Sequence, residues 1–129
     1  MRLPKVSRSA VTAFFLFMIG VLGQSRGAPG TDSGAGKDVF ARRCSGCHSP
    51  DSNKEGPRLR GIVGRKAGAV PGFPYSDGLR NSGIIWSGEL LAKWLENTQA
   101  VVKDNDMEFR VSSADERSAV VAYLKSLTN

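Results

Sequence analysis

Residues 44–48 read Cys-Ser-Gly-Cys-His, and they hold both cysteines and the only histidine of the 129-residue chain. Two closely spaced thiols with an imidazole directly behind them confine the fold to one that brings all three groups to a single bound object. Other uses of the trio fail on chemistry. A structural zinc site needs further Cys or His ligands, and the chain has none. A thioredoxin-like pair needs a βαβ setting, which nothing around the run provides. A Cys44–Cys47 disulfide would close a loop too tight to stabilise anything, because the gain grows with loop length. The run matches the attachment sequence of c-type haem, in which both sulfurs bond the porphyrin edge and the adjacent His48 takes one axial position on iron. One covalent haem c is the expected cofactor.

The opposite axial position needs a second ligand. Methionines stand at 1, 18 and 107, and the first two fall in a segment with the pattern of a secretory signal. Arg2, Lys5 and Arg8 form its basic start, Ala10 to Leu22 its apolar centre, and Val21-Leu22-Gly23 its small-residue cleavage pattern. Residues 1–23 are therefore expected to be removed on export to the periplasm. Uncleaved, they would serve as an anchor, although the apolar run is short of the ~20 residues a membrane span needs. Met107 is then the one remaining thioether. A lone methionine commonly fills a core gap, but this one follows the polar run Lys103-Asp104-Asn105-Asp106 rather than sitting on an apolar helix face. It is the candidate for the second axial position. A weak thioether there raises haem potential and leaves iron no vacancy for substrate. The pairing points to electron carriage rather than catalysis. The competing class is a five-coordinate haem enzyme or gas-binding protein with Met107 detached. Such a site would want a polar distal group, and no second histidine exists.

Losing residues 1–23 removes three of the 18 basic residues and no acidic one, so the formal charge falls from +6 to +3. That slight positive charge, with no aromatic-basic stacking pattern, argues against nucleic-acid binding. What remains is one small domain, marginal unless something apolar fills it. Residues 24–35, rich in Gly, Ser, Ala and Pro, read as a flexible lead-in, and 36–129 as the folded unit. A short helix is expected over 37–44. Another begins after Ser87, with Leu90, Leu91, Trp94 and Leu95 as its apolar face. Ser113-Ala114-Asp115-Glu116 reads as a capping box ahead of a last helix carrying Val120, Tyr123, Leu124 and Leu127. The glycine- and proline-rich stretch 56–81 lacks periodicity and reads as a long loop that a haem would fill.

These segments together resemble class I cytochrome c of the mitochondrial and alphaproteobacterial soluble type. The resemblance runs from Gly36 to Asn129. Beside residues 44–48 it rests on Gly56-Pro57-Arg58-Leu59, Gly61-Ile62-Val63-Gly64-Arg65-Lys66-Ala67-Gly68 and Phe73-Pro74-Tyr75-Ser76-Asp77. Gly83-Ile84-Ile85-Trp86, Trp94-Leu95-Glu96-Asn97 and Val121-Ala122-Tyr123-Leu124-Lys125 complete it. It implies an all-α cytochrome c fold, short helices and long loops around one haem. The implied activity is one-electron transfer between a reductase or dehydrogenase and a terminal oxidase or reductase, by a monomer docking weakly with redox proteins. Membrane contact is expected only through those partners or an uncleaved N-terminus.

The resemblance also assigns roles. Pro57 is implied to accept the outer ring N–H of His48, and Arg65, Tyr75 and Trp86 to hydrogen-bond the haem propionates. Asn105 occupies the place of a threonine that meets a propionate, and its amide is a substitute donor. Gly36, Phe40 and Tyr123 are implied to meet where the first and last helices cross. The chain departs from the family before Met107, where a proline-glycine pair and several lysines are usual; the missing proline is expected to loosen the loop. Asp104, Asp106 and Glu108 crowd that side, whereas Lys37, Arg42, Arg43, Arg58, Arg60 and Lys66 are expected nearer the cysteines, where they would steer docking.

Overall fold

Capping serines fix where the two longer C-terminal helices begin. A computed structural model describes residues 33–128. The Ser87 hydroxyl accepts the Leu90 N–H at the start of the helix Gly88–Glu96, and Ser113 accepts the Glu116 N–H at the start of Ala114–Ser126. Numbered in chain order, the helices are α1 (Ser33–Arg43), α2 (Asp77–Asn81), α3 (Gly88–Glu96), α4 (Thr98–Val101) and α5 (Ala114–Ser126). The fold is all-α; the only β pairing among the described residues is an isolated bridge between Lys66 and Ile85.

The Ser113 box is only half made. Glu116 sends its carboxylate across to α1, 2.8 Å from Arg43 Nε and 3.5 Å from Arg42, instead of back to the cap. That pairing joins the two helices whose mutual contact is the most extensive in the fold. At their crossing, a Cβ on Gly36 would lie 2.0 Å from the Ala119 carbonyl oxygen and 2.7 Å from Tyr123 Cβ, so only glycine admits this approach. Phe40 packs on Tyr123 with ring centroids 5.4 Å apart. Val39 and Phe40 of α1, Leu91, Trp94 and Leu95 of α3, and Val120, Val121 and Leu124 of α5 are buried in one core. Each such side chain contributes about 1.5–3 kcal/mol on burial.

Three features differ from the expected layout. Helix α1 is already formed at Ser33, the first described residue, ahead of the expected 37, and Gly36 lies against Ala119 and Tyr123 of α5. Helices α2 and α4 are single turns, each created by one cap: Ser76 accepts the Leu79 N–H and Asn97 the Ala100 N–H. The remainder of 56–81 is indeed turns, closed by glycines at positive φ such as Gly64 (86°). The expected export segment 1–23 and the lead-in as far as residue 32 lie outside the described residues. Among those described, no helix is long and apolar enough to cross a membrane.

Candidate haem site

Helix α1 unwinds into the turn that carries the cysteines. The Cys44 and Ser45 N–H groups both reach the Phe40 carbonyl (2.9 and 3.0 Å), and the His48 N–H reaches the Cys44 carbonyl (2.8 Å). Cys44 is thereby half-buried against the core and Cys47 exposed, with open space beside Gly46. Burial pushes the Cys44 thiol up to about 11, against the pull of Arg43 and with a small push from Cys47, so it stays protonated at neutral pH.

His48 is half-buried, and its Nδ1 lies 2.8 Å from the Pro57 carbonyl oxygen. With Nδ1 donating there, Nε2 keeps its lone pair free for a metal, and the ring orientation is set. Gly56 backs the ring so closely that a Cβ would lie 2.2 Å from His48 Cε1. Burial lowers the proton affinity of His48; the Pro57 bond works against this and nearby Lys54 with it. The ring is neutral at pH 7, as a ligand must be.

Met107 borders the same core cluster as Cys44. Its sulfur accepts a hydrogen bond from Trp94 Nε1 at 3.3 Å. Its main chain is held as well: the N–H donates to Asn105 Oδ1 (2.9 Å) and the carbonyl accepts from Thr98 Oγ1 (2.7 Å). Asn105 is buried and its Nδ2 also donates to the Val102 carbonyl (2.7 Å), so its amide is engaged within the loop at both ends.

Arg65 and Trp86 are brought together by the bridge region, where the Trp86 N–H donates to the Arg65 carbonyl (3.0 Å) and the Gly64 N–H to the Trp86 carbonyl (2.7 Å). Two Arg65 N–H groups donate to the Arg58 and Arg60 carbonyls, both at 2.9 Å. The Tyr75 hydroxyl accepts a long bond from the Val70 N–H (3.4 Å); burial makes the phenol hold its proton more firmly, against the weaker pull of that bond and of nearby Arg65 and Arg58. The Tyr75 O–H and the Trp86 Nε1–H have no protein acceptor among the described residues. Such unspent donors around one partly buried cationic group suit an anion such as a haem propionate, which needs donors once removed from water.

The residues present therefore fit a covalently held haem: two thiols, one oriented neutral imidazole, one thioether on the shared core, and donors for carboxylates. No trio of Cys, His, Asp and Glu capable of holding a bare metal ion occurs among the described residues. A surface groove lined by Lys93, Glu96, Arg110 and Arg117 among others contains none of these groups. Two participants escaped the sequence reading. Trp94 looked like an ordinary core aromatic, and its apolar neighbours gave no sign that its N–H points at sulfur. Thr98 carried no signal at all.

The described chain matches the family described as Cytochrome c over residues 33–128. Cytochrome c type-1 of Ascaris suum is 43% identical over 100 residues, covering 75% of this chain and 89% of the nematode protein. Among solved structures, cytochrome cH from Methylobacterium extorquens is 37% identical with a TM-score of 0.69, covering 74% of this chain and 98% of that one. Ferricytochrome c2 from Rhodopseudomonas palustris is 35% identical with a TM-score of 0.70, over 74% and 98% of the two chains.

Proposed function

The chain belongs to the cytochrome c family, a carrier of electrons with one covalent haem c, and on that premise we propose the residues that hold the haem and the way the protein is used. Cys44 and Cys47 bond the porphyrin edge, His48 Nε2 and the Met107 sulfur ligate iron, and Arg65, Tyr75 and Trp86 donate to the propionates. The haem supplies a metal that gains and loses one electron; everything else is done by the chain. Pro57 holds the His48 ring by its outer nitrogen, Gly56 gives that ring room, and Trp94 engages the sulfur of Met107. The core against which Cys44 and Met107 rest excludes water, which keeps rearrangement on electron transfer small.

The orientation of His48 by Pro57, with one ring nitrogen left free, is the observation that carries this reading. The basic start and apolar centre of residues 1–23 support export and use in the periplasm, as a monomer with transient redox partners. Ion pairing narrows the docking face. Arg42 and Arg43 are engaged by Glu116, and Arg60 by Asp51, which leaves Lys37, Arg58 and Lys66 exposed without an acidic partner among the described residues.

Expression in a host able to attach haem, followed by intact mass and a ferric absorption spectrum, tests the assignment. The expected product has lost residues 1–23, has gained one haem, and shows the charge-transfer band of a Met–iron bond. A colourless product with two free thiols overturns it.

A further inference from the structure

The segment that presents Met107 has no proline to stiffen it and contains Asp104 at φ 56°, the one described non-glycine residue with a positive φ. By backbone chemistry alone it should wander. Side chains hold it instead. Thr98, 3% exposed, donates its hydroxyl to the Met107 carbonyl at 2.7 Å, and Asn105, 5% exposed, accepts the Met107 N–H at 2.9 Å. Gln99 spans the strained turn, accepting the Asp104 N–H (3.1 Å) and donating to the Asn105 carbonyl (3.0 Å). All three belong to, or are tied back to, the single turn α4 that follows directly on α3, the helix carrying Trp94.

We propose that Thr98, Asn105 and Gln99 form a side-chain cradle that positions Met107 and holds it on iron, so that the loop is firm despite its missing proline. This rests on the reading of Met107 as the axial ligand. Thr98 and Asn105 are positioning residues: they act on Met107 through its main chain. Their bonds lie out of water, so removing one partner strands the other without a substitute. The cost falls on the attached state alone, because a detached loop finds water for the same groups. The detached fraction therefore rises by the strength of the lost bond, and any external ligand binds tighter in proportion to it. Asn105 thus has a use other than contacting a propionate, its Oδ1 and one N–H being already committed.

Imidazole binding to the ferric holoprotein reads that fraction. Thr98→Val keeps shape and loses the hydroxyl; it should tighten imidazole binding roughly tenfold, the effect of one buried hydrogen bond. It should also weaken the Met–iron charge-transfer band, and Thr98→Ser should restore both to within about twofold. Gln99→Ala, at an exposed position that does not threaten folding, should tighten binding by a smaller factor, about threefold. Unfolding by guanidinium is followed in parallel, since a purely structural role would lower the midpoint and leave imidazole affinity unchanged. That outcome overturns the cradle, as does a Thr98→Val variant identical to the parent in band and affinity. If Thr98→Val yields no holoprotein, Gln99→Ala decides alone, and unchanged affinity there refutes the proposal. A parent protein without the charge-transfer band would instead refute Met107 ligation itself, so the two failures are distinguishable.

Discussion

An indole N–H can give a hydrogen bond but has no lone pair with which to receive one, and this sets what Trp94 does to Met107. At 3.3 Å it engages one lone pair of the sulfur and draws electron density from it. A poorer donor sulfur stabilises ferric iron less than ferrous, which raises the potential. Trp94→Phe keeps an aromatic ring against Trp86, whose centroid lies 5.3 Å away, but removes the donor. The potential should fall by tens of millivolts, the equivalent of a hydrogen bond of about 1 kcal/mol at 59 mV per tenfold change. Protein-film voltammetry of the two proteins checks this, and an unchanged or higher potential contradicts it. The sequence could not reveal this contact, because Trp94 shares the apolar face of α3 with Leu91 and Leu95. Cys44, Cys47 and His48 were legible for the opposite reason: three reactive groups within five residues admit few uses.

At the scale of elements, the crossing of α1 on α5 depends on one missing methyl group. Gly36→Ala puts a carbon where the Ala119 carbonyl oxygen lies 2.0 Å away, and backbone cannot turn aside as a side chain can. The helices must separate, costing about 1–3 kcal/mol or more. Guanidinium unfolding should show an earlier midpoint, while a variant as stable as the parent would mean that the helices part without loss. Sequence alone located α1, α3 and α5, and the starts of α3 and α5 were legible because each has a serine cap with several apolar residues behind it. Helices α2 and α4 were missed because one turn is too short to show a period, and each exists only through its cap and its tertiary attachments. The stretch of α1 ahead of residue 37 was missed because Gly34, Ala35 and Gly36 show no apolar periodicity; of these, Gly36 is buried where it lies against Ala119 and Tyr123 of α5. The looseness expected of the Met107 loop follows from the absent proline; the hydrogen bonds of Thr98, Gln99 and Asn105 on which the proposed cradle rests come from positions that look like ordinary polar residues.

For the whole molecule, ion pairs remove part of the basic character that composition implies. Three arginines are engaged by Glu116 and Asp51; Lys37, Arg58 and Lys66 stand exposed without an ion pair among the described residues, as do Lys54, Lys103, Arg110 and Lys125, while Asp104, Asp106 and Glu108 are exposed beside Met107. Oxidation of the ferrous protein by ferricyanide, a small anionic oxidant, reads this field. Arg58→Glu with Lys66→Glu should slow the reaction several-fold at low salt, Asp106→Lys should speed it, and both differences should shrink once ionic strength approaches about 1 M. Rates indifferent to salt would show that the field does not guide approach. The seam between the terminal helices has a temporal meaning too. Arg42 and Glu116 meet although 74 residues separate them, so a polypeptide emerging N-terminus first stays unclosed until its final 13-residue helix has been made. Until that helix docks, Phe40 lacks its Tyr123 neighbour and Cys44 lacks part of the core it rests against, so the partly made polypeptide carries its first helix without the seat the last one supplies.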